Sequence, residues 1–184
     1  VNSPFGLVLA HNGNLVNASE LSDELYKNDL RHLNTKSDSE VLLNVFAHAL
    51  HKKAKNNLEI SDIFSAVDEL HSRVKGAYAV IIMILGYGIL AFRDPYGIRP
   101  LVYGRKKDKN HMFASESVAL DCLGYNQDVR DLKPGEAIFI DNKGQKNTHI
   151  YSRAKNSSPC IFEYVYLARP DSTMDDINVY KSRL

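Results

Sequence analysis

Apolar residues fall into two periodicities along this chain, and the change between them predicts its architecture. Val41, Leu42, Val45, Phe46, Ala49 and Leu50 recur at helical spacing after Ser37-Asp38-Ser39-Glu40, a helix-start signature in which Glu40 would reach back to cap the chain. Asn17-Ala18-Ser19-Glu20 repeats that signature and predicts a shorter helix to about Asn28. A third helix is expected from about Ser61 to Val74, with Ile63, Phe64, Val67, Leu70 and Val74 on one face and Gly76 closing it. Beyond that point the runs become short and β-rich: 77–85, 88–92, 101–103, 111–114 and 137–140, separated by Gly, Pro and Asn. A short helix over 117–123 interrupts them. Turns this tight suit antiparallel pairing rather than crossover connections. The expected class is therefore α+β, with helices and sheet in separate layers. A polar stretch, Arg153 to Pro159, marks a boundary, which gives a main domain over 1–158 and the opening of something new over 159–184.

Composition changes this picture little. The 184 residues are 44% hydrophobic and 24% charged with a net charge of +1, enough for one ordinary core and without the basic excess of a nucleic-acid binder. The densest charge cluster, Arg105 to Asn110, lies between two strand-like runs and reads as a solvated hairpin loop. Cys122 and Cys160 are the two cysteines, with no disulfide or zinc spacing, so reduced thiols and a cytoplasmic setting are expected. The longest apolar run, Ala77 to Leu85, is too short to span a bilayer, and no membrane partner is expected. The chain opens on Val1 rather than Met and stops at Leu184 without a helix-stop signal, which reads as an interior fragment.

Candidate chemistry concentrates at Ala10-His11-Asn12-Gly13-Asn14. The apolar run Gly6 to Ala10 reads as a buried strand, with His-Asn-Gly-Asn supplying a turn where it stops. A carboxamide and a glycine N–H presented together could stabilise an oxyanion, worth ~10²–10³ in rate per donor in acyl transfer. The plainer alternative for Asn12 and Gly13 is an ordinary hairpin turn. Asp38 has two compatible readings, an acid favouring the helix dipole and a carboxylate for a ligand ammonium. His11, Arg93-Asp94-Pro95, Asn14 and Asn17 read as structural, and the remaining histidines have no ligand spacing.

Taken in order, several motifs resemble the amidophosphoribosyltransferases, a family of class II glutamine amidotransferases. They are Val1-Asn2-Ser3-Pro4-Phe5-Gly6, the His-Asn-Gly-Asn-Leu run, residues 34–43, Arg93 to Leu101, Ala114-Ser115-Glu116-Ser117, Lys133-Pro134-Gly135-Glu136 and Phe162 to Ser172. The resemblance implies an N-terminal-nucleophile hydrolase fold, a four-layer αββα sandwich with antiparallel sheets, incomplete here and followed by the start of a phosphoribosyltransferase domain. It implies hydrolysis of glutamine by an N-terminal cysteine and transfer of the ammonia to phosphoribosyl pyrophosphate, giving phosphoribosylamine in the first committed step of purine synthesis. Asn12 and Gly13 match the family's oxyanion hole, Asp38 the carboxylate holding the glutamine α-amino group, and Tyr166 a tyrosine of the ammonia passage. The nucleophile is expected upstream of Val1, so this fragment alone is expected to be inactive. Further implied are Mg²⁺ in the transferase half, a homo-oligomer, and, in some members, a four-iron cluster with one ligand near Cys160; a free buried thiol is the other reading of Cys160. Two alternatives stand beside this one: a non-catalytic glutamine- or partner-binding paralogue, and a glucosamine-6-phosphate synthase-like transferase.

Overall fold

A computed structural model describes residues 5–54, 57–108 and 110–184. The Val1-Asn2-Ser3-Pro4 part of the first motif and Lys109 of the charged loop lie outside the described residues. Among the described residues, ten strands and five α-helices follow one another in the order β1 (Leu7–Leu15), α1 (Ala18–Lys27), α2 (Asp38–Lys53), α3 (Ile60–Arg73), β2 (Gly76–Ile84), β3 (Gly88–Arg93), β4 (Val102–Arg105), β5 (His111–Ala114), α4 (Ser117–Cys122), β6 (Gln127–Asp131), β7 (Glu136–Asp141), β8 (Lys146–Ile150), β9 (Thr173–Met174), β10 (Ile177–Asn178) and α5 (Val179–Ser182). A π-helical turn, Glu163–Leu167, precedes β9.

The strands pair antiparallel throughout, in a five-stranded sheet of order β1-β2-β3-β7-β8, a three-stranded sheet of order β5-β4-β6 and the small β9-β10 hairpin. Strand alternation divides the core in two. Even-numbered residues of β2 such as Tyr78, Val80 and Ile82 face α1, α2 and α3, where Leu25, Leu42, Phe46, Val67 and Leu70 are buried. Ala79 and Ile81 face the second sheet and pack with Leu101, Tyr103, Leu132 and Ile138. The architecture is α+β with antiparallel sheets, as the periodicity predicted.

Three local expectations are corrected. His11-Asn12-Gly13-Asn14 is not a turn: β1 runs unbroken to Leu15, with Asn12 opposite Ala79 and Gly13 opposite Tyr78. The partner strand supplies hydrogen bonds that override the turn propensity of Asn-Gly. Neither predicted capping box forms. Asn17 spends its side chain on a distant loop, donating from Nδ2 to the Arg73 carbonyl at 2.9 Å and accepting from the Lys75 N–H at 2.9 Å. Ser37 makes no side-chain cap, because Glu40 is drawn to Asn34 and Thr35 instead. The capping box that does form, Glu59 with Asp62 at the head of α3, went unpredicted, and Gly76 opens β2 rather than closing α3. Strands β6, β8, β9 and β10 were also missed. Their sequences, such as Lys146–Ile150, alternate polar residues with few apolar ones.

The Arg93-Asp94 pair is structural, as the sequence suggested. Arg93, 2% exposed, donates to the carbonyls of Arg99, Leu132 and Gly97, each at 2.7 Å. Asp94 is fully buried, and its carboxylate accepts the backbone N–H groups of Tyr78, Tyr96, Ile98 and Arg99. Asp94→Asn would turn an amide N–H₂ toward these donors and leave at least one unsatisfied. A loss of about 2–3 kcal/mol is expected, read as a lower urea midpoint with unchanged m.

Candidate functional site

The site grows from the hydrogen-bond alternation of β1. Val16 N–H donates to Lys75 O at 2.9 Å and Leu85 N–H donates to Gly6 O at 3.0 Å, so even-numbered β1 residues bond to β2. Odd-numbered residues must then point their N–H groups away from β2. Two observations agree. Tyr78, opposite Gly13, spends both backbone groups on Asp94, its N–H reaching the carboxylate at 3.3 Å and its carbonyl accepting the Asp94 N–H at 2.8 Å. Leu15 N–H leaves the strand outward and is accepted by the Asp38 carboxylate at 3.2 Å. β1 is the edge strand of its sheet among the described residues. The N–H of Gly13 therefore lies on the same open edge as Asp38, about 7 Å from that of Leu15 by strand geometry.

Glycine is required at this position by space as well as conformation. The residue has φ +148°, and a Cβ there would stand 2.0 Å from the Ala77 carbonyl oxygen. Asn12 projects on the opposite face, the one directed toward the second sheet, where it is exposed and its side chain bonds to none of the described residues. His11 turns the other way, toward α2. Its Nδ1 stands 3.1 Å from Ser39 Oγ and 3.8 Å from Asp38 Oδ1, its Nε2 meets no hydrogen-bond partner among the described residues, and burial holds its pKa below the usual imidazole range despite the opposing pull of Asp38. A neutral, buried ring of this kind supports the first turn of α2.

Glu40 was missed as a site-building residue, although its position two after Asp38 in Ser37-Asp38-Ser39-Glu40 is a signal the sequence carried. Its carboxylate accepts the N–H and side-chain amide of Asn34 at 2.8 and 3.2 Å, and the N–H and hydroxyl of Thr35 at 2.7 and 2.6 Å. These donors, the Asn34 N–H foremost, hold its pKa down to about 2. The loop before α2 is thereby fixed beside a concavity of about 420 Å³ bordered by Leu9, Asn34, Thr35, Ser39 and Leu43.

The other candidates lie elsewhere. Tyr166 is 65% exposed on the π-helical turn, its ring edge-on to Phe162 at 6.0 Å, beside the exposed Ile161 and Val165. The Gly13 N–H and Asp38 thus share one edge of β1, the Asn12 side chain projects from the sheet face turned away from α2, and Tyr166 lies elsewhere, in an apolar patch with Phe162, which the sequence reading did not single out. Cys160 is a partly buried free thiol and Cys122 an exposed one. Among the described residues no group of three or more His, Cys, Asp or Glu side chains is placed to hold a metal ion. No helix among them is long and apolar enough to cross a membrane.

A free strand-edge N–H on the same edge as a carboxylate, on an antiparallel α+β frame, stands beside what the family comparison finds: the glutamine amidotransferase domain model matches residues 2–122, and the chain belongs to that family. Within it the chain is similar to the amidophosphoribosyltransferases of Pseudomonas aeruginosa, 56% identical over 187 residues, and Escherichia coli, 52% identical over 188. Each match covers the whole of this chain and 37% of the relative, so the chain spans little more than a third of their length. Among solved structures, the glutamine phosphoribosylpyrophosphate amidotransferase from B. subtilis, complexed with ADP and GMP, superposes with a TM-score of 0.78 at 36% identity, over all of this chain and 37% of that one.

The Glu40 clamp has a definite pH sign. With the carboxyl lowered from 4.5 to about 2, its contribution to loop order is complete above pH 4.5 and is lost as pH falls toward 2. Amide exchange at Asn34 and Thr35 should accelerate over that acid range. In Glu40→Gln, exchange should already be fast at pH 6 and the acid dependence absent.

Proposed function

We propose that the protein to which this chain belongs hydrolyses glutamine and passes the ammonia to phosphoribosyl pyrophosphate, forming phosphoribosylamine for purine synthesis. The observation that carries this reading is the open edge of β1, where the outward N–H of Gly13 lies on the same edge as Asp38, with the unengaged carboxamide of Asn12 on the sheet face next to that N–H. On this reading the frame is the N-terminal-nucleophile hydrolase sandwich, residues 1–158 belong to its glutaminase domain, and 159–184 lead into a phosphoribosyltransferase domain.

Each group then has a chemical task. Attack of a thiolate on the glutamine carboxamide puts negative charge on its oxygen, and the Gly13 N–H with the Asn12 amide would receive that charge without reorganising. Asp38 accepts the substrate ammonium; one of its oxygens is committed to Leu15 N–H and the other lies 3.8 Å from His11, too long for a hydrogen bond, so acceptor capacity remains. The nucleophile is assigned to an N-terminal cysteine outside this chain, since Cys122 in α4 and Cys160 before the π-helical turn belong to other elements. Tyr166 is read as a wall of the ammonia path, which its exposure in an apolar patch favours. On the same reading the whole enzyme is a cytoplasmic homo-oligomer with Mg²⁺ in the transferase half, an analogy with the family on which no step here depends.

The test uses the full-length enzyme carrying Asn12→Ala. Glutamine-dependent product formation should fall about 10²–10³-fold while the ammonia-dependent rate stays near that of the parent. Equal loss of both rates would remove Asn12 from the oxyanion hole. Asp38→Asn should instead raise the KM for glutamine, again sparing the ammonia-dependent reaction.

A further inference from the structure

A second concavity, of about 340 Å³, opens at the C-terminal end of α3, away from the residues assigned above. Lys75, Arg153 and Lys155 stand around it, and none of the residues bordering it is acidic. None of the three cations joins an ion pair or a side-chain hydrogen bond among the described residues, whereas Arg73, Arg93, Arg99, Arg105, Arg130 and Arg169 all pair with carboxylates. Lys75 has a local reason to be there, since it follows the last turn of α3 and complements the helix dipole. Arg153 and Lys155 do not. They come from the segment after β8, whose backbone is fixed by Tyr151 N–H to Gly135 O at 3.0 Å, Ala154 N–H to Tyr151 O at 3.0 Å and Lys155 N–H to Pro95 O at 2.8 Å.

The floor adds an independent sign. His71 is 95% buried and borders the concavity; its Nδ1 lies 2.8 Å from the Tyr78 hydroxyl, and its Nε2 has no partner among the described residues. Burial lowers its pKa to about 3, so the ring is neutral at pH 7. In either tautomer, Nε2 is a buried polar atom without a partner among the described residues. Like charges gathered without a counter-charge repel one another, and a buried polar atom without a partner is costly. An anion entering this concavity would supply the counter-charge that the three cations lack.

We propose that the concavity bordered by Lys75, Arg153, Lys155 and His71 binds a phosphate monoester. Phosphate is favoured over a carboxylate because three cations match a dianion, and the planar Arg153 fork can take two of its oxygens. The volume leaves room for an organic group against the Tyr96 and Tyr151 rings. This site is independent of the glutamine reading.

Lysine footprinting of the full-length protein tests it locally, whatever phosphate sites other parts of that protein carry. Acetylation of Lys75 and Lys155 is followed by mass spectrometry in inorganic phosphate, in acetate and in chloride at equal ionic strength. Phosphate should slow both lysines about tenfold relative to chloride, and Arg153→Gln, an exposed substitution, should restore the chloride rate without changing glutamine hydrolysis. Lys155→Gln should likewise abolish protection of Lys75. Equal rates in phosphate and chloride would overturn the site, and protection by acetate as strong as by phosphate would overturn the assignment to phosphate.

Discussion

The buried carboxylate of Asp94 ties this structure together. It receives four backbone N–H groups from two parts of the chain, the start of β2 and the turn that follows β3. A buried charge of this kind is tolerable only when its lone pairs are filled, and here backbone donors fill them without a cationic partner against the carboxylate. Arg93 performs the complementary task next door, filling the carbonyls of Gly97, Arg99 and Leu132. Adjacent residues of opposite charge thus satisfy the donors and the acceptors of one turn separately. The turn then serves as a rail, because the carbonyls of Pro95, Tyr96 and Ile98 accept the N–H groups of Lys155, Ser158 and Cys160.

That constraint reaches the candidate site through one residue. Because Tyr78 gives both its backbone groups to Asp94, it has none for Gly13, and the Gly13 N–H is directed to the open edge. Availability of the Gly13 N–H is therefore a matter of strand parity: a one-residue slip of β1 against β2 would turn it inward and bury Asn12 among the helices. The close approach at Gly13, where any Cβ would collide with the Ala77 carbonyl, disfavours such a slip on one side. On the other, Leu7, Leu9 and Leu15 must all face the helices to be buried.

Much of this was legible in the sequence where periodicity and chemistry coincided. α2 and α3 announced themselves because their apolar residues repeat at helical spacing, and β2, β3 and β7 because theirs are continuous and buried from both faces. Asn12, Gly13 and Asp38 were legible as a set through family motifs; the Gly13 N–H and Asp38 share the open edge of β1, while the Asn12 side chain projects from the sheet face turned away from α2. The errors share a cause: local propensity was read where a distant partner decides. Asn-Gly inside β1 is held by β2, Asn17 bonds to the loop after α3, and Glu40 bonds backward to Asn34 and Thr35 rather than capping its own helix. None of those partners lies within the window from which a cap or a turn is inferred. The His71 and Lys75 concavity was invisible for the same reason, since Arg153 and Lys155 reach it only through the rail built on Asp94.

The two acids on the first turn of α2 show how environment assigns roles to identical chemistry. Both could serve the helix dipole, and both lie near the edge of β1. Glu40 has four donors already in place, so a ligand ammonium would have to displace bonds that hold its pKa near 2. Asp38 has one, the N–H of Leu15, and that single bond aligns the carboxylate with the strand edge while leaving acceptor positions open. The longer side chain is therefore the one spent on folding the loop, and the shorter, less flexible one is kept at the edge. Geometry that fixes an acid without saturating it is what recognition of a substrate ammonium requires. The site thus depends on Glu40 for the shape of the loop before α2 and on Asp38 for its charge.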